Sequence, residues 1–119
     1  MEKMSIRRTV PNIESEDPKQ SREFFERFLG MEVAMDKDWI ITFASPNNPT
    51  AQINVILHDG SDVPHPNISI EVDDVDDMYS RAVDQKIEIV YSITDEPWGV
   101  RRFFVVGPNN TIVNILSHL

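Results

Sequence analysis

Few side chains in this chain can do chemistry near neutral pH. The histidines are His58, His65 and His118, and there is no cysteine, so thiolate nucleophiles, thiolate metal sites and disulfides are excluded. The most suggestive acid–base pair is His58 with Glu71. Each falls on an expected strand, and strands of one sheet would bring an imidazole and a carboxylate within reach of one substrate. The plainer alternative is an exposed strand-end histidine and a solvated glutamate. His65 lies between Pro64 and Pro66 and reads as loop surface near the start of a strand. His118 stands beside the C-terminal residue.

Recognition chemistry is better represented. Trp39 and Trp98 either fill a core or form aromatic walls for a planar ligand. Trp98 precedes Gly99, which lets the loop bend sharply. Arg101 and Arg102 follow, and alternation along a strand sends only one of them to a given face. Arg102 is favoured as the inward one because it shares parity with Phe104. An inward arginine holds a ligand carboxylate or phosphate, unless the many local acids claim it. Asn12, Asn54, Asn67 and Asn114 would line a neutral polar floor if they share a face. Asn114 lies between Val113 and Ile115. A polar side chain inside an apolar strand is costly without partners, so a cavity suits it better than packed core.

The elements that must position these residues repeat. Residues 6–13 read as a strand, and Asp17-Pro18 opens a helix running to Leu29. Phe24, Phe25, Phe28 and Leu29 form its apolar stripe, and Gly30 stops it. Strands follow at 31–35, 39–44 and 52–58, and then a Asp-, Gly-, Ser- and Pro-rich stretch from Asp59 to Pro66. The pattern then restarts. Residues 67–72 alternate cleanly as a strand. Asp73 or Asp74 caps a helix to about Asp84, with Val75, Met78, Tyr79, Ala82 and Val83 inward. A strand at 87–91 follows, and strand, turn and strand close the chain at 103–106, 107–110 and 112–116. Each half thus reads strand–helix–strand–strand–strand, with modules at about residues 1–60 and 67–119 of a single domain. The expected fold is α+β, with one helix on the outer face of each half.

Bulk properties narrow the partners. At 119 residues one domain can bury about two-thirds of its unfolded surface, enough for a core without staples. A net charge of −9 argues against nucleic acid and anionic membranes as partners. Runs such as Asp73-Asp74-Val75-Asp76-Asp77 read as solvated helix starts that meet the positive end of a helix dipole. No apolar run approaches a membrane span, and the N-terminus lacks the apolar region of a signal peptide. A cytoplasmic location is expected.

Three blocks, in this order and spacing, carry a family resemblance. They are Ser21-Arg22-Glu23-Phe24-Phe25-Glu26-Arg27-Phe28-Leu29-Gly30-Met31-Glu32-Val33, Ile70-Glu71-Val72-Asp73-Asp74-Val75-Asp76, and Trp98-Gly99-Val100-Arg101-Arg102-Phe103 through Gly107-Pro108-Asn109-Asn110. Over essentially its whole length the chain resembles the glyoxalase/bleomycin resistance protein/extradiol dioxygenase group, the vicinal oxygen chelate superfamily. The resemblance implies two βαβββ modules forming a cupped mixed or antiparallel sheet, a homodimer, and a ligand pocket in each cup. Metal-dependent members of the group use a histidine or glutamine on the first strand, a histidine opening the second module and a glutamate on the last strand. Those positions fall near Val10 or Asn12, on Asn67 and on Asn114. Neutral amides are poor ligands for a catalytic transition metal, so no metal and no other cofactor is expected. The favoured function is binding of a small organic ligand in a metal-free cup, of which bleomycin-resistance-like sequestration is one form. Its ligand residues would be Asn12, Trp39, Asn54, Asn67, Trp98, Arg102 and Asn114. The competing reading is a divalent-metal-dependent lyase, isomerase or dioxygenase using His58 or His65 with Glu71. A third is a pure interaction module with a filled cup.

Overall fold

The computed structural model describes residues 5–57 and 63–119. It divides into two compact units, Val10–His65 and Pro66–Leu119, the second also taking the chain up to Thr9. The strand β1 (Ile6–Ser15) therefore contributes to both. His58 lies outside the described residues, and so does its proposed pairing with Glu71. No helix among the described residues is long and apolar enough to cross a membrane.

The first unit holds β2 (Glu32–Asp36), β3 (Ile40–Ser45) and β4 (Asn48–Leu57). β2 pairs antiparallel with β3, and β3 with β4. The end of β1 runs parallel to β4, with Asn12 opposite Asn54. One face carries Ile41, Phe43 and Val55, all fully buried and covered by Phe25, Met31 and Val33.

The expected helix over 18–29 forms differently. A 3-10 turn at Pro18–Gln20, capped by Asp17, leads into a π-helical segment at Glu23–Phe28. There the Leu29 N–H donates to the Phe24 carbonyl at 3.0 Å, a five-residue step in place of four. The wider turn abandons the 3.6-residue spacing on which a single apolar stripe depends. Only Phe25 reaches the sheet, tilted against Phe43 at 5.3 Å between ring centres. Phe24, Phe28 and Leu29 are exposed, Phe28 to 74%.

The second unit repeats the strand order. β5 (Ile68–Val72) runs parallel to β8 (Ile112–His118), β8 antiparallel to β7 (Val100–Val106), and β7 antiparallel to β6 (Ile89–Glu96). The helix α1 (Val75–Asp84) starts where the Asp74 carboxylate accepts the Asp77 N–H at 3.0 Å. Its buried Val75 and Ala82 join Val72, Phe103, Val105 and Ile115 in one core, and Tyr79 meets Phe103 edge-on at 4.9 Å. Val83, expected inward, is exposed. Alternation along β7 and β8 sends Arg102, Phe104, Asn114 and Leu116 to the face opposite α1.

Candidate functional site

The face of the β5–β8 sheet turned away from α1 carries several polar side chains held in place by hydrogen bonds. The two arginines separate as alternation requires. Arg101 bonds Asp76 on α1 at 2.9 Å and Asp95 at 2.8 Å, and these hydrogen bonds raise its pKa above the ordinary arginine value. Arg102 lies on the other face. Its Nε donates to Glu96 Oε2 at 2.6 Å, and the Tyr91 hydroxyl donates to the same oxygen at 3.0 Å. Its guanidinium carbon lies 4.8 Å from the Phe104 ring centre, 5.0 Å from that of Trp98 and 5.3 Å from that of Tyr91. The Arg102 and Glu96 side chains are 14% and 9% exposed. Local backbone builds this box. β6 shifts register between Tyr91 and Thr94, and Gly99 adopts φ +95°, a conformation that favours glycine and turns the chain after Trp98.

On the neighbouring strand β8 lies Asn114, opposite both Phe104 and Ser69. Its amide nitrogen donates to Ser69 Oγ at 3.0 Å. Its Oδ1 is buried with no hydrogen-bond partner. Exchanging the amide's oxygen and nitrogen moves the deficit to the other atom without removing it. Asn67 does not join this pair: its side-chain oxygen accepts the Ile112 N–H at 2.8 Å and fastens the start of β5 to β8.

Glu71, one step further along β5, has a partner that sequence reasoning missed. Its Oε1 takes Arg8 Nε at 2.7 Å, and its Oε2 takes His118 Nδ1 at 2.9 Å. A carboxylate only accepts, so His118 carries a proton on Nδ1. Burial pushes the Glu71 carboxyl up, but the His118 and Arg8 hydrogen bonds and charges outweigh it, and its pKa lies below the ordinary value. The signal was parity, since His118 shares a strand face with Asn114 and Leu116.

The first unit carries a polar row in the equivalent place. Thr42 Oγ1 donates to Asn54 Oδ1 at 2.6 Å, and Asn54 Nδ2 donates to Asn12 Oδ1 at 2.8 Å. By register this row, Asn12–Asn54–Thr42, matches Ser69–Asn114–Phe104. His65 Nε2 donates to the Asn12 carbonyl at 3.1 Å. Trp39 is half-buried in the turn before β3, its carbonyl accepting the Leu57 N–H. The structure thus brings together Asn12 with Asn54, and Trp98 with Arg102. It assigns Asn67 to backbone pinning.

The donors at the positions that hold a metal in metal-dependent relatives do not fit one. Val10 offers no ligand atom, the side-chain oxygens of Asn12 and Asn67 already accept hydrogen bonds, and Asn114 is neutral. Arg8 and His118 occupy both oxygens of Glu71. Among the described residues, no three histidine, aspartate or glutamate side chains converge.

Comparison with known proteins bears on the fold. Residues 10–115 match the family model described as the Glyoxalase/Bleomycin resistance protein/Dioxygenase superfamily. No curated protein matches. Among solved structures, a superfamily member from Vibrio splendidus 12B01 is 16% identical over 95% of this chain and 99% of its own, with a TM-score of 0.72. A hypothetical protein from Bacillus halodurans C-125 is 11% identical over 97% of this chain and 96% of its own, with a TM-score of 0.74. A structure described as an NAD-dependent benzaldehyde dehydrogenase from Legionella pneumophila is 16% identical over 93% of this chain and 99% of its own, with a TM-score of 0.75. At these identities the likeness is one of fold.

Proposed function

The chain belongs to the Glyoxalase/Bleomycin resistance protein/Dioxygenase superfamily, and on that premise we propose that it binds a small organic ligand without a metal. The site is the face of the β5–β8 sheet that carries Trp98, Arg102 and Asn114. Sequestration of a metabolite or antibiotic is the activity this describes. The observation that carries the reading is Asn114 Oδ1, buried without a donor. A buried unsatisfied acceptor costs about 1–3 kcal/mol, and a ligand N–H or O–H would remove that cost. The mismatch between the amide donors and a divalent metal separates this reading from a metal-dependent lyase, isomerase or dioxygenase.

The test is a small-molecule panel followed by NMR, reading the Asn114 side-chain amide and the Ser69 backbone. A binder should shift both and raise the unfolding temperature of the native chain but not of Asn114→Leu. Stoichiometric zinc, nickel, manganese or iron in protein purified without chelator, with ligand binding lost on its removal, would overturn the reading. The same proposal includes a cytoplasmic homodimer. Exposed Phe24, Phe28 and Leu29 support the self-association, since a cluster of large apolar side chains on a surface marks a contact.

A further inference from the structure

We propose that the ligand is a planar aromatic monocarboxylate, gripped by Arg102 and stacked at Trp98. This inference rests on the binding reading above and adds the chemical class. It follows from which hydrogen-bonding groups on the face are already committed. Both oxygens of Glu71 are taken by Arg8 and His118. Glu96 Oε2 is shared by Arg102 and Tyr91. Arg102 uses only Nε, and its two Nη groups meet no acceptor among the described residues. They are not sealed in either, because Asn114 Oδ1 is the one side-chain polar atom among the described residues that is both buried and unpartnered.

A guanidinium with two free, parallel N–H groups matches a carboxylate as a two-pronged fork. Three rings and Glu96 already hold this guanidinium in place, so little side-chain freedom is lost when an anion docks. Trp98 is 37% exposed and offers a flat surface beside that fork, where a planar ring stacks. Charge favours a monoanion. Glu96 already lies against Arg102, and a phosphate dianion would add a second full repulsion in a chain of net charge −9.

Calorimetric titration with indole-2-carboxylate, indole-2-carboxamide and 2-(aminomethyl)indole tests this. The carboxylate should bind at least about tenfold more tightly than the amide, the ratio expected from a charge-assisted hydrogen-bond pair, with the amine weakest. Arg102→Met alone would strand Glu96, so the double variant Glu96→Gln/Arg102→Met is used, with retained fold checked by circular dichroism. It should lose the preference for carboxylate over amide. Arg102→Lys keeps the charge but not the fork and should weaken the carboxylate severalfold. Equal or tighter binding of the amide or the amine overturns the inference while leaving the binding reading intact. So does an unchanged preference in the double variant. Absence of binding by all three probes also overturns it, and the NMR panel then decides the broader reading independently.

Discussion

Asn114→Leu should make the protein more stable and abolish ligand binding. Asparagine and leucine share the same branched skeleton of four side-chain heavy atoms, which limits the overpacking contribution. The substitution removes the Asn114 Nδ2 to Ser69 Oγ hydrogen bond, a loss of about 1 kcal/mol. Ser69 retains another interaction and is not stranded. The substitution also removes the buried Oδ1 that has no donor, a gain of about 1–3 kcal/mol. The balance is a stabilisation of about 1 kcal/mol, or about 2–6 °C in unfolding temperature for a domain of this size. Urea unfolding should show a higher midpoint at unchanged slope. A destabilisation of about 1 kcal/mol or more would refute the reasoning, because the amide would then be fully satisfied in the native state. Asn114→Asp provides the opposite control, since a carboxylate there is buried without a cation and should destabilise strongly above its pKa.

Other outcomes follow from the same geometry. Glu71 titrates below its ordinary value of 4.5 in the folded chain. It therefore contributes stability that is present above that value and is lost as pH falls through the folded pKa; Glu71→Gln should flatten the acid limb of stability against pH below about 4.5, measured by urea unfolding at a series of pH values. Asp74→Ala removes the oxygen that accepts the Asp77 N–H and should cost about 1 kcal/mol, read as a lower urea midpoint. Phe28→Glu places charge in the exposed aromatic cluster, where Phe28 stacks on Phe24 at 5.3 Å; sedimentation should show dimer for the native chain and monomer for the variant. A native chain that sediments only as monomer at micromolar concentration contradicts the dimer proposal.

The closing hairpin was the most legible part of the chain. Alternation alone sent Arg101 and Arg102 to opposite faces, and the shared parity of Arg102 and Phe104 identified the one that meets Tyr91 and Trp98. Asn109 and Asn110, both at φ +60°, form the turn that asparagine tolerates. The first helix was less legible. Its apolar residues fit a 3.6-residue stripe, yet the backbone takes wider steps and leaves three of the four outside. Intrinsic pattern is a weak constraint where tertiary packing can reward one ring, Phe25 on Phe43, at the expense of the rest.

Composition and periodicity by themselves determined the repeated strand order, the N-caps at Asp17 and Asp74 and the alternation of the closing strands, because these depend on spacing along one chain. Partner choice was decided only by the tertiary structure. Asn67 and Asn114 are the same residue type, one just before β5 and the other inside β8, yet one pins the Ile112 backbone and the other buries an unpaired oxygen. Glu71 meets Arg8 and His118, residues far from it in sequence. Hydrogen bonds form at about 3 Å, and strand register sets which side chains come that close, through cross-strand pairing that no local pattern encodes.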